Sequence, residues 1–207
     1  MKKIKKLFFL FTSLAVLLIL SFFIFIYIKF FINTSSKSQN IENAESRSFQ
    51  QEKKEKQNFI NQLVPIAQQI QKEYHILASI SISQACLESD WGRSKLASKY
   101  HNYFGIKGSS GQNTVMLETM EFISGKWIKK KENFVVYNSL QESMIDHAKL
   151  LSQGTSWNNQ QYQEVIDADN YQKATQALVN AGYATDPSYA EKLIRIIRQY
   201  QLNRFDY

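Results

Sequence analysis

The chain has a single cysteine, Cys86, in 207 residues. No disulfide can form within it, so its folded part must be held by a hydrophobic core. Cys86 lies inside an apolar helical pattern, which predicts a small buried hydrophobe rather than a reactive thiol. Histidine is also scarce. His75, His101 and His147 form no H-E-x-x-H and have no pair of cysteines beside them, so no metal site is expected. There is no G-x-S-x-G, no cysteine-nucleophile signature and no glycine loop to cradle phosphate, and the chain calls for no cofactor.

A one-signed charge field is missing where nucleic-acid binding would need it. The net charge of +7 is uneven: residues 1–58 hold ten Lys/Arg and four Asp/Glu, residues 59–207 fifteen and fourteen. Basicity confined to the N-terminal part suits a membrane surface and excludes a nucleic-acid face on the folded part.

What is present at the N-terminus is a long apolar run. Leu7 to Ile28 carries no charge, and as a helix it would extend about 33 Å, enough to cross a bilayer core. Lys2, Lys3, Lys5 and Lys6 precede it and only Lys29 follows closely. The positive-inside bias then leaves residues 1–6 as a cytoplasmic tail and sends the rest outside the cell membrane. A cleaved signal peptide has the same charge order, but the run is long for one and no A-x-A site follows it. Residues 29–58 are polar, with mixed charge near their end, and are expected to form a flexible stalk, partly helical near Gln50–Asn58.

From Phe59 onward the pattern is globular. Phe59, Leu63, Ile66, Ala67 and Ile70 recur at helical spacing, and a second helix is predicted from about Leu77 to Asp90, with Gly92 as its stop. Ser139 and Glu142 form a capping box for a helix through Leu151. Asn170 opens another that closes at Gly182, and Asp186-Pro187 is expected to cap a helix running to about Leu202. Between them, Thr114–Ile123 and Lys126–Tyr137 flank Ser124-Gly125, a hairpin signal. The expected fold is mainly α (α+β): a helical domain over 59–207 with a small antiparallel hairpin, preceded by one transmembrane helix.

The stretch richest in chemistry is Ser83–Gly108, SQACLESDWGRSKLASKYHNYFGIKG. An apolar helical pattern brings Glu88 to the end of its helix. The helix C-terminus, nearby Asp90 and the aromatic Trp91 would all raise its pKa. A carboxyl kept protonated near neutral pH is what a general acid needs to protonate a glycosidic oxygen.

Gln84-Ala-x-Leu87-Glu88-Ser89-x-Trp91-Gly92 with Ser94 and Leu96, and then Asn102-x-Phe104-Gly105-Ile106-Lys107-Gly108, resembles the glucosaminidase domain of glycoside hydrolase family 73, the bacterial autolysins and flagellar-type muralytic enzymes. The resemblance continues through Thr119-x-Glu121-Phe122, Phe134-x-Val136-Tyr137, Ser143-x-x-Asp146-His147 and Ala181-Gly-Tyr183-Ala184-Thr185-Asp186-Pro187-x-Tyr189, covering about 59–207. It implies a lysozyme-like fold and an endo-β-N-acetylglucosaminidase acting on peptidoglycan glycan strands, with Glu88 as catalytic acid. His101 stands where the family often has Asn.

The second carboxylate stays open. The family motif points to Glu121; strand alternation keeps Glu118 and Glu121 on opposite faces unless a bulge intervenes. Either would serve as base or nucleophile, and the substrate's own 2-acetamido group is a third route. Tyr183 is a candidate to orient that group or the attacking water. Trp91, Asn102, Tyr103, Phe104 and Tyr189 are candidates for the sugar cleft, with core packing as the alternative for Trp91, Phe104 and Tyr189. The competing functions are a muramidase or lytic transglycosylase of the same fold, and a wall-binding module without catalysis.

Overall fold

The computed structural model of the protein describes Tyr27, Lys29, Phe30 and residues 42–109, 111–123 and 126–207, except the side chains of residues 120–123 and 127. The cytoplasmic tail, the expected span at 7–28 apart from Tyr27, and the stalk up to residue 41 lie outside the described residues. So do Ser124-Gly125 and the side chain of Glu121. Among the described residues no helix is long and apolar enough to cross a membrane.

The chain divides into two units, Met1–Lys54 and Glu55–Tyr207. In the first, residues 42–54 are helical and exposed; helix is expected near Gln50–Asn58, and it begins earlier, in the part expected to be flexible. Glu, Gln, Lys and Ala are strong helix formers, so a polar segment takes helical form without an apolar face to bury.

The second unit is mainly helical. Helix α1 covers residues 55–74 and buries Phe59, Ile60, Leu63, Ala67 and Ile70. It ends at His75, whose φ of 58° breaks the helical run. Then come α2 (Ala78–Glu88) and the short α3 (Lys95–Tyr100). Strands β1 (Thr114–Ile123) and β2 (Lys126–Val135) follow, then α4 (Leu140–Gln153), α5 (Gln163–Ile166), α6 (Tyr171–Asn180), α7 (Tyr189–Tyr200) and a 3₁₀ turn, Leu202–Phe205. The two strands pair antiparallel in unbroken register from Thr114↔Val135 to Ile123↔Lys126, so no bulge interrupts the ladder.

The expected caps at α4 and α6 are present. Ser139 Oγ accepts from Glu142 N, and Asn170 Oδ1 from Lys173 N. The return half of the capping box is displaced by one residue, because the Glu142 carboxylate accepts from Asn138 N instead of Ser139 N. The expected start of the last helix is corrected. Asp186 Oδ1 accepts from both the backbone N–H and the hydroxyl of Ser188, closing a local turn, and α7 begins only at Tyr189.

Helix α2 is the centre of the domain, packed against α4, α6, α7 and the 3₁₀ turn. Every residue from Ala78 to Cys86 is buried, including Ser79, Ser81, Ser83 and Gln84. Cys86 is a free, buried thiol whose burial pushes its pKa up, matching the inert hydrophobe expected. A helix sealed this way cannot cap itself with water, and Leu77 at its N-cap has no side-chain acceptor. Distant residues supply the caps. Gln71 Oε1 accepts from Ala78 N at 2.9 Å, and Asp206 accepts from Ser79 N and Ser79 Oγ, both at 2.7 Å. Replacing Asp206 with Ala is expected to cost about 1–2 kcal/mol of stability by stranding the Ser79 N–H. Chemical denaturation of Asp206→Ala measures this, and an unchanged midpoint would show that the cap is dispensable.

Candidate active site

The C-terminal end of α2 is built to reverse the chain and leave Glu88 facing outward. Ser89 is buried; its hydroxyl donates to Ala85 O and accepts from Gly92 N at 2.7 Å. Asp90, Trp91 and Gly92 then adopt φ of 50°, 58° and 77°, three left-handed residues in succession. That conformation costs an L-residue about 1–2 kcal/mol, and it is held here by Trp91 N–H donating to Cys86 O and Ser94 N–H to Ser89 O. Glycine at 92 is also required by space, since a Cβ would lie 2.8 Å from the Phe59 ring.

A second local device builds the opposite wall. Asn102 is buried, and its amide donates to Ile106 O and Val135 O and accepts from Ile106 N, at 2.9, 2.9 and 3.0 Å. This clamps residues 102–106 against the end of β2. Lys107 continues the contact as a bridge to Phe134, and Gly108 passes so close to Thr114 that a Cβ would meet its methyl at 2.3 Å. His101 closes α3 in the left-handed region, a conformation that Asn also favours.

Between these walls runs a cleft of about 830 Å³. Glu88, Ser94, Lys95, Leu96 and Phe104 line it. Lys107, Phe134 and the Met116–Thr119 segment of β1 line it as well. Glu88 opens to solvent in this cleft, yet enough protein surrounds the carboxyl that desolvation raises its pKa. Two influences oppose the rise, the Tyr189 hydrogen bond and the positive charge of Lys192. The expected direction therefore holds and desolvation, one of the expected causes, leads it, while Asp90 is not among the causes. Asp90 turns away to pair with Arg93 at 2.9 Å, and Trp91 packs on Tyr200 with ring centroids 4.9 Å apart.

Beneath the carboxyl lies an aromatic and amide scaffold. Tyr189 is buried, and its hydroxyl donates to Glu88 Oε1 at 2.7 Å while accepting from Gln84 Nε2 at 3.1 Å. Tyr183 stacks on Tyr189 at 5.6 Å, and its hydroxyl meets His147 Nε2 at 2.9 Å. His147 is buried and stacks flat on Phe104, 3.9 Å between centroids. Burial pushes its pKa down to about 3, so the ring is neutral. Both tyrosines are held well above their ordinary pKa, first by burial.

The structure thus brings Glu88, Phe104, Tyr183 and Tyr189 together, and assigns Trp91, Asn102 and Tyr103 elsewhere. Tyr103 stacks on Phe59, and its backbone N–H donates to Ser143 Oγ. These three, expected at the sugar cleft, are not among the residues lining it. Tyr189, expected as a sugar contact, instead holds the acid. Glu118 lines the cleft, with its carboxylate paired to Lys129 at 2.7 Å. Gln84 and His147 were not expected to take part. For Gln84 a signal existed, because it stands four residues before Glu88 and so on the same helical face.

With Tyr189 donating to Oε1, the proton of the neutral Glu88 carboxyl belongs on Oε2, the oxygen left to serve the cleft. The Tyr189 bond favours the ionised form. Tyr189→Phe is therefore expected to raise the Glu88 pKa further. A carboxyl-¹³C NMR titration of both proteins checks this, and an unmoved or lowered Glu88 titration would contradict it.

The sequence profile of a family described as glucosaminidase, mannosyl-glycoprotein endo-β-N-acetylglucosaminidase, matches residues 64–202. The chain is 47% identical over 152 residues to the exo-glucosaminidase LytG of Bacillus subtilis, covering 73% of this chain and 54% of that protein. It is 38% identical over 151 residues to the peptidoglycan hydrolase FlgJ of Pseudomonas aeruginosa, covering 69% and 36%. The chain thus spans about half or less of the length of these curated relatives. Among solved structures, the catalytic domain of the autolysin Auto from Listeria monocytogenes is similar with a TM-score of 0.68 at 40% identity, covering 73% of this chain and 88% of that one. With an acid-bearing cleft of this construction on a mainly helical domain, the chain belongs to the glucosaminidase family of glycoside hydrolases, family 73.

Proposed function

We propose that this glycoside hydrolase cleaves peptidoglycan, at the β-1,4 bond that leaves N-acetylglucosamine at the new reducing end, within glycan strands. The observation that carries the reading is Glu88. It is a carboxyl at the wall of an open cleft, kept toward its neutral form by desolvation and fixed through Oε1 by Tyr189. A general acid there delivers the Oε2 proton to the leaving glycosidic oxygen as the C1–O bond breaks. Ionising Glu88 removes that proton, so activity falls as pH rises through its raised pKa.

The second group comes from β1 or from the substrate. Glu121 is favoured by the family motif and Glu118 by its place on the cleft, and the 2-acetamido carbonyl is the alternative to both. Peptidoglycan also fits the names of relatives, one a peptidoglycan hydrolase and another an exo-glucosaminidase.

The test is digestion of purified peptidoglycan by the full chain, wild type beside Glu88→Gln, with product ends and lengths read by mass spectrometry. Glucosamine-type reducing ends on fragments of mixed length are expected, with activity reduced at least about 10³-fold in the variant. Muramic or 1,6-anhydro ends would overturn the bond assignment, and disaccharides alone would overturn internal cleavage. A fully active Glu88→Gln would remove Glu88 from the chemistry.

The enzyme is held at the cell membrane by residues 7–28, N-terminus cytoplasmic and catalytic domain on the wall side. The support is the uncharged run from Leu7 to Ile28 behind four lysines. Such a tether confines cleavage to strands near the membrane. Full-length protein is expected to stay with membranes through alkaline carbonate extraction, and its release into the supernatant would sink the anchor.

A further inference from the structure

Gln84 is fully buried, one helical turn before Glu88 on α2, and its amide is only half used. Nε2 donates to the Tyr189 hydroxyl, while Oε1 has no hydrogen-bond partner among the described residues. A buried amide oxygen without a donor is costly, and replacing such an amide by an apolar group of the same shape is often neutral or stabilising. The fold therefore gains little from Gln84 as packing, which directs attention to what its NH₂ does.

Tyr189 has one hydroxyl proton and two polar neighbours. With the Gln84 NH₂ toward it, the phenolic oxygen is an acceptor on that side and its proton is directed to Glu88 Oε1. With the amide reversed, Gln84 Oε1 and Glu88 Oε1 would compete for that single proton, and a buried N–H donor would be left unpaired. Only the observed orientation gives Glu88 an uncontested donor, and an incoming donor also polarises the hydroxyl and strengthens the bond it makes.

We propose that Gln84 is a positioning residue for the reaction: its amide fixes the Tyr189 hydroxyl on Glu88 Oε1 and so keeps the transferable proton on Oε2. The proposal rests on Glu88 being the acid. The titratable and charged groups that bear on Glu88 are Tyr189 and Lys192 of α7, Tyr183 in the preceding loop, and Lys95, Lys107 and Glu118 around the cleft. Gln84 reaches Glu88 through Tyr189, so its influence is separable from theirs by a cycle.

The experiment compares wild type, Gln84→Met, Tyr189→Phe and the double variant as full chains in detergent, on soluble peptidoglycan fragments. Gln84→Met keeps the side-chain volume and removes the donor. It is expected to lower kcat about three- to tenfold, with KM within about twofold, and to move the alkaline limb of the pH profile upward. Its Tm is expected to equal or exceed that of wild type, because the orphaned oxygen is gone. In the Tyr189→Phe background the same substitution should change neither kcat nor the limb. A Gln84→Met enzyme with the wild-type kcat and pH profile overturns the proposal, as does an equal effect with and without Tyr189. Gln84→Leu serves as the second apolar replacement if the Met variant does not fold. Glu88→Gln, run in parallel, separates the two failures: if it is inactive while Gln84→Met behaves as wild type, only the role of Gln84 falls.

Discussion

The constraint on which the domain depends is the complete burial of α2 from Ala78 to Cys86. A sealed helix needs partners for its terminal backbone groups, and the chain supplies them from far away. Its first N–H groups go to Gln71 and Asp206, the latter 127 residues distant in sequence. Its C-terminal end is turned by three left-handed residues and by the buried Ser89. Glu88 is the point where this helix finally meets solvent, and Tyr189, 101 residues on, takes hold of it there. The acid's position is therefore a property of the whole fold rather than of a loop, which is the condition for holding a reacting group within tight geometric limits.

Two demands on that carboxyl conflict. In the role proposed for it, it must be neutral to give up a proton, and it must be held still. Most groups that hold a carboxyl also favour its charge. A lysine or arginine contact would fix it at the cost of ionising it; a phenol fixes it with a neutral donor and a weaker pull. Lys192 does bear on Glu88, but its ammonium group is bound to Asp186, which is itself drawn down to about 2 by that pairing and by Ser188. Desolvation is then the largest influence left. The cluster Asp186-Pro187-Ser188-Tyr189 thus does three things within one turn: it starts α7, occupies the nearby cation and delivers the phenol.

What was legible in the sequence divides along the same line. Caps at Ser139 and Asn170, the hairpin and the apolar face of α1 are local, and a few neighbouring residues specify them. Glu88 was legible because its helix end and the surrounding motif coincide. For Asn102, residue type alone does not say which partner wins. An amide suited to a sugar is equally suited to three backbone groups, and here Ile106 and Val135 take it. The roles of Gln84 and His147 depend on Tyr189 and Tyr183, 105 and 36 residues away, and no spacing rule reaches that far.

The hairpin carries the remaining chemical question, and its register limits the answer. The ladder from Thr114↔Val135 to Ile123↔Lys126 has no bulge, so positions 118 and 121 stand on opposite faces of β1. The face with Val115, Leu117 and Thr119 is partly covered, and position 121 falls on it by parity; Met116 and Glu118 are exposed on the other. Yet β1 borders the cleft along its edge, and Glu118 reaches the lining from the exposed side. Among the described side chains of β1, Glu118 places a carboxylate at the cleft. Positions 118 and 121, on opposite faces of the strand, would not be interchangeable in the proposed reaction. A slip of one residue in the pairing would exchange the two faces. In the proposed mechanism, strand register, more than the presence of either glutamate, would decide which carboxylate serves beside Glu88.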